Sequence, residues 1–167
     1  DTTSAQVVVE VFSGLVTIST DLELIPDIAH RWDIDEGGTV YTFHLREGVT
    51  FHNGNPVTAG DFKWSMERAA APETASSVAD AYLGDIVGYR AYVDGDASEI
   101  SGIQVVDDLT LRINIDAPKA YFLAQMTYPT AYVLDQETVE VGGRTWWIDN
   151  PVGTGPFKLA ESRIGER

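Results

Sequence analysis

Cysteine is absent from the 167 residues, and lysine and arginine together number only 11 against 26 aspartates and glutamates. The first absence removes disulfides, cysteine-type zinc sites and cysteine nucleophiles, while leaving the redox compartment open. The second produces a formal net charge of −15 and a pI near 4.3. A surface so short of cations does not suit nucleic acid or an anionic membrane, which reward clustered Lys and Arg. No apolar run approaches the roughly 18 residues of a membrane-spanning helix. The chain opens on Asp1-Thr2-Thr3 without Met, signal peptide or lipid-attachment cysteine, so a trimmed N-terminus is expected. What remains is 44% hydrophobic, enough for one domain that buries about two thirds of its unfolded surface.

The most informative stretch runs from Val40 to Lys63, VYTFHLREGVTFHNGNPVTAGDFK. Tyr41, Phe43 and Leu45 alternate with Thr42, His44 and Arg46, the period of two expected of a half-buried strand. Glu47-Gly48 turns the chain, Val49 and Phe51 offer a shorter extended run, and Asn53-Gly54-Asn55-Pro56 supplies a second turn. Thr58 can cap the amide of Asp61, an acid in the first turn suits the helix dipole, and Phe62, Met66 and Ala70 recur on one helical face. A helix is predicted there, stopped by Pro72.

Elsewhere the patterns are weaker. Ser4 is a candidate N-cap for a segment in which Val7, Val8, Val11, Phe12 and Leu15 fit a helical face, although consecutive valines also suit a strand. Leu15 to Ser19 should end extended, and Leu22 to Pro26 should turn toward a short helical piece at Asp27 to His30. Glu36-Gly37-Gly38 is the turn before the Tyr41 strand. Two short helices are expected at Ala75 to Leu83 and Ile86 to Val93. Ile103 to Val106 and Leu109 to Ile115 form a hairpin about Asp107-Asp108, because Leu109, Leu111, Ile113 and Ile115 alternate with polar residues. A helix at Tyr121 to Met126, an extended aromatic segment at Tyr128 to Val133, a helix at Asp135 to Val141 and a final strand within Val152 to Leu159 complete the reading. Trp146-Trp147 is expected to pack over the core. The fold class is α/β, a mixed, largely antiparallel sheet crossed by short helices, with no repeat and no linker between domains.

Catalysis needs a nucleophile with a base, a metal cluster, or carboxylates in contrasting environments, and none stands at a recognisable spacing. His30, His44 and His52 form no HxxxH or HExxH pattern, which favours surface or strand histidines over metal ligands. The tract Asp94 to Glu99 starts like a calcium loop but has Glu99 where the sharp-turn glycine belongs and Val105 where the bidentate acid belongs, so it reads as a solvated loop. Gly153-Thr154-Gly155 reads as a turn, since no helix follows it to complete a phosphate cradle. The aromatics divide: Trp32 and Trp64 sit beside periodic apolar positions and suit the core, whereas Tyr128 and Tyr132, between helices, suit recognition as well as packing. The chain is read as a binding protein, not an enzyme, with no cofactor. Exposed aromatics keep a stand-alone carbohydrate-binding module open as an alternative.

Four blocks, FSGLV at Phe12 to Val16, LIPDIAHRW at Leu24 to Trp32, YTFHLREGVTFHNGNPVTAGDF at Tyr41 to Phe62 and PVGTGPFKL at Pro151 to Leu159, together resemble the family 5 extracellular solute-binding proteins, receptors of oligopeptide, dipeptide and nickel ABC importers. The resemblance implies that residues 1–167 are the N-terminal portion of lobe I of a two-lobed periplasmic-binding-protein type II-like fold, with the second lobe absent from this chain. It implies a periplasmic or extracellular location, membrane contact only through a lipid anchor, and permease subunits of the transporter as partners. The implied ligand is a peptide-like solute, with an oligosaccharide or a metal chelate as alternatives. Matched position by position, Thr2, Thr3 and Ser4 fall in a cleft-lining segment just before the first helix, and Tyr128, Thr130 and Ala131 fall in a second cleft-facing segment. The aromatic that peptide receptors carry near Ser77 and Val78 has no counterpart here.

Overall fold

A computed structural model of the chain describes residues 2–149 and 151–159, with side chains over 7–143, 145–147 and 151–159. Its elements are α1 (Thr2–Val11), β1 (Val16–Ile18), β2 (Leu24–Pro26), β3 (Ala29–Ile34), β4 (Val40–Leu45), α2 (Ala59–Ala70), α3 (Ala79–Leu83), α4 (Tyr89–Val93), β5 (Ile103–Asp107), β6 (Thr110–Asn114), α5 (Phe122–Gln125), α6 (Gln136–Gly142) and α7 (Trp146–Asp149). Four strands form one antiparallel sheet in the order β3-β4-β6-β5, and β1 pairs with β2 in a separate ribbon.

The period of two in β4 decides the layering. Tyr41, Phe43 and Leu45 are buried while Val40, Thr42 and His44 are half-buried, and Leu111 and Ile113 of β6 continue the same apolar face. Phe43 is fully buried, opposite Trp32 on one side and Leu111 on the other. Onto this face packs α2, whose Phe62, Met66 and Ala70 are buried one turn apart. Its start is the capping box read from the sequence: Asp61 N–H donates to Thr58 Oγ1, and the Asp61 carboxylate accepts from Thr58 N–H at 2.8 Å. Such a cap stabilises a helix by about 1 kcal/mol. The core then extends through Leu83, Ile86, Tyr89 and Ile100 to Phe122 and Met126.

Several expectations are corrected. Asp27 to His30 is not helical: Ala29–Ile34 is an edge strand, because pairing with β4 outweighs a local pattern with little alternation. The segment Tyr128 to Val133 is not extended throughout; Pro129–Ala131 makes a 3-10 turn, for which proline's fixed φ is prepared. The Val7 to Val11 stretch is helical, α1 ends at Val11 before Leu15, and Ser4 lies inside the helix instead of capping it. Asp1, Thr2, Thr3 and Ser4 are all capping-type residues in sequence terms, so no single start stands out. Residues 152–159 form no strand: Gly155 N–H donates to Val11 O at 2.8 Å, Phe157 N–H to Glu10 O at 3.2 Å, and Gly153 O accepts from His52 N–H at 2.8 Å, so the segment bonds to a helix end and to the loop at His52. The helices at 75–93 are shorter than expected, and the hairpin turns at Asp108-Leu109, after a bulge between Val105 and Asp107. Trp146 packs edge-on against Phe12 with ring centroids 5.9 Å apart, whereas Trp147 is 53% exposed.

Candidate functional site

The segment from Thr127 to Asp135 is built by its neighbours. Tyr128 N–H donates to Gln125 O at 3.1 Å, Ala131 N–H to Tyr128 O at 2.9 Å, and Val133 N–H to Ser13 O at 3.0 Å, which ties it to the end of α1. Tyr132 joins Val11 and Phe12 in a small apolar cluster of its own. Leu134 N–H reaches the buried Ser65 hydroxyl on α2 at 2.9 Å. The following residue, Asp135, is only 4% exposed and caps α6 by accepting from Thr138 N–H at 2.8 Å, with Asn55 Nδ2 donating at 3.0 Å.

The sequence-predicted site residues fall in two places. Tyr128 and Thr130 are half-buried, and Thr130 Oγ1 is buried without a hydrogen-bond partner. Ala131 is fully buried in the core, backbone included, so it presents no surface to a ligand. Thr2, Thr3 and Ser4 lie in the first turn of α1, not ahead of it, and their side chains are outside the described residues. It is the other end of α1 that meets Tyr132 and Val133, and Thr3 stands about 12 Å from Val11 along the axis at 1.5 Å per residue. The two predicted segments therefore share a helix without meeting at it.

Between α1, β1 and this segment opens a groove of about 460 Å³ lined by Val9, Phe12, Thr17, Asp27, Tyr132 and Pro156, among others. Among its described lining residues Asp27 carries the only charge. Burial pushes the Asp27 carboxyl above its ordinary range, against the pull of the Gly14 N–H and the Arg46 guanidinium, and Gly14 N–H donates to it at 3.3 Å. Neither Asp27 nor Tyr82, whose ring stacks on that of Tyr128, stands out in the sequence, because each acquires its surroundings from residues distant in the chain. His52 likewise has a structural role: Gly153 N–H donates to Nδ1 at 3.3 Å, which makes Nε2 the donor to Gly155 O at 2.8 Å. Among the described residues no group of three or more His, Cys, Asp or Glu could hold a metal ion, and no helix is long and apolar enough to cross a membrane.

The Asp135 cap sets a pH dependence. Burial raises its pKa, but bonds from Thr138, Asn55 and Asn53 outweigh that, and the net direction is below 3.8. A depressed folded value means stability that is present above pH 3.8 and lost as pH falls through the folded pKa. Asp135→Ala is expected to cost about 1–2 kcal/mol at pH 7. Urea midpoints of the two proteins should converge as pH falls below 3.8 and through the folded pKa; a gap that does not narrow on acidification would contradict this account.

Comparison with known proteins agrees with this geometry. The family model for bacterial extracellular solute-binding proteins, family 5, middle part, matches residues 23–167. The probable deoxycholate-binding periplasmic protein YgiS of Escherichia coli is 34% identical over all of this chain and 32% of its own length. The dipeptide-binding protein DppE of Bacillus subtilis is 35% identical over 90% of this chain and 28% of its own. In three dimensions, Haemophilus influenzae OppA in complex with the peptide RPPGFSPFR superposes with a TM-score of 0.90 at 32% identity, covering 97% of this chain and 32% of that one. A periplasmic oligopeptide-binding protein of Borrelia burgdorferi reaches 0.93 at 34% identity, covering 99% and 34%. The chain thus spans about a third of the length of these relatives. The family description and the relatives' names place such proteins in the periplasm or outside the cell, and they are binding proteins, not enzymes. The antiparallel sheet, the helices packed on it and the match over residues 23–167 make this chain a member of the bacterial extracellular solute-binding proteins, family 5.

Proposed function

We propose that the chain is the N-terminal portion of lobe I of a substrate-binding component of an ABC importer. The complete receptor captures a peptide-like solute in a cleft between two lobes and delivers it to the membrane permease, with a lipid anchor as its membrane attachment. The observation that supports this most is the likeness, over nearly the whole chain, to an oligopeptide receptor crystallised with a nonapeptide. Tyr128 and Thr130 contribute one wall, with the buried Ala131 setting the backbone behind it, and the first turn of α1 at Thr2, Thr3 and Ser4 contributes another part of the same lobe. One wall cannot enclose a solute, and affinity in such sites comes from enclosure of most of the ligand surface.

Isothermal titration with Ala-Phe-Ala is the test. The complete receptor is expected to bind, whereas residues 1–167 alone should give no heat at micromolar peptide. Binding by the short chain equal to that of the complete receptor would contradict the two-lobed reading. The relative named for deoxycholate binding supports a second reading, an amphipathic steroid as the solute, and deoxycholate belongs in the same titration series.

A further inference from the structure

The Tyr82 and Tyr128 rings are parallel to within 7° with centroids 3.7 Å apart. Left to themselves, aromatic pairs prefer offset or edge-on arrangements with centroids about 4.5–7 Å apart, because facing π-clouds repel. So close a sandwich is imposed by its frame. Tyr82 projects from α3, which Ala79 and Leu83, both buried, hold in place. Tyr128 precedes the 3-10 turn at Pro129–Ala131. A single residue braces both backbones: Gln125 Nε2 donates to Ala81 O at 3.0 Å, and Gln125 O accepts from Tyr128 N–H at 3.1 Å.

Tyr82 and Tyr128 are half-buried, and the cations nearby are already paired. Arg90 pairs with Asp80 at 2.6 Å, and Lys119 with Asp85 at 2.6 Å. Lys119 also reaches Asp116 at 3.0 Å, so among the described residues the cations beside α3 are already engaged, and the feature the two tyrosines themselves offer a solute is aromatic surface. Two rings fixed in advance offer that surface with little loss of side-chain freedom on binding.

We propose that Tyr82 and Tyr128 form a stacking shelf for a flat, uncharged face of the solute, an aromatic side chain of a peptide, and that Tyr82 thereby determines specificity. This rests on the reading of the chain as part of a solute receptor whose Tyr128 segment faces the ligand. The test uses the complete receptor, titrated calorimetrically with Ala-Phe-Ala, Ala-Ala-Ala, cellotriose and deoxycholate. Tyr82→Leu keeps apolar bulk but removes the ring, and is expected to weaken Ala-Phe-Ala about five- to tenfold while Ala-Ala-Ala stays within about twofold. Tyr82→Phe should retain the wild-type preference, because the ring and not the hydroxyl does the stacking. Equal weakening of both tripeptides would reduce Tyr82 to a structural part and overturn the shelf. So would an unchanged Tyr82→Leu, or a loss confined to cellotriose or deoxycholate. A wild-type receptor that binds neither tripeptide overturns the peptide reading itself; one that binds both while Tyr82→Leu is silent overturns the shelf alone.

Discussion

Phe43→Ala is expected to remove about 3–5 kcal/mol of folding stability, the cost of a large aromatic lost from a site that cannot collapse around the void. Phe43 has no exposed surface, lies at the middle of β4 and faces Trp32 and Leu111 across both neighbouring strands. Phe62 and Met66 of α2, in the same buried cluster, are themselves fully buried on a helix fixed by its cap at one end, which limits how far the core can relax. Because a domain's whole stability is about 5–15 kcal/mol, this one change should bring the chain close to unfolding at 25 °C. Urea denaturation followed by tryptophan emission reads it directly, since Trp32 is the residue opposite. Phe43→Leu, which keeps most of the volume, should cost less than half as much; an alanine variant within about 1 kcal/mol of wild type would show that the sheet's apolar face is not the core.

The second large effect is expected at Gly153. A Cβ there would collide with the Val11 carbonyl oxygen and lie 2.8 Å from its carbon and 3.0 Å from Phe12 Cδ1. The obstacle is mostly backbone, which cannot rotate away. Gly153→Ala must therefore push residues 153–157 off the end of α1, breaking the bonds from Gly155 N–H to Val11 O and from Phe157 N–H to Glu10 O and loosening the clasp of His52 on Gly153 and Gly155. At about 0.5–1.5 kcal/mol per hydrogen bond, the loss sums to about 3 kcal/mol. Hydrogen exchange gives the local readout: the Gly155 and Phe157 amides, slow in the wild type, should exchange at rates near those of an open chain in the variant, while the amides of β4 and β6 keep their protection. Unchanged protection at Gly155 would mean that α1 moves instead and that the segment is not held by the contacts described.

What could be read in the sequence is what depends on near neighbours in the chain. Tyr41, Phe43 and Leu45 announce a half-buried strand through a period that needs only six residues. Both halves of the Thr58–Asp61 box lie within one turn, and Leu111 and Ile113 carry their own alternation. The misreadings share the opposite property. Ala29–Ile34 is a strand because β4 offers its free edge, which nothing in AHRWDI foretells. Residues 152–159 look like a strand by composition, yet their hydrogen-bond partners are the end of α1 and His52, both distant in the sequence. The candidate site shows the same division. Tyr128, Thr130 and Ala131 came from a matched motif, whereas Ala131 turns its methyl into the core and Tyr82 gains its importance only when α3 and the 128–131 segment are brought together.

The bonds between the end of α1 and residues 153–157 also order events in time. They join the first helix to the last described segment, closing a loop that contains nearly every other element. Closing so long a loop costs more entropy than any local step, and its reward waits until the intervening sheet and helices are in place. During synthesis α1 stays without these two bonds until Gly155 and Phe157 have been made. Val7 and Val9, exposed even in the finished fold, are then joined in water by Val11 and Phe12. Among the described elements α1 is thus one of the last to settle, a clasp that shuts only when the sheet and helices between it and Gly155 are in place.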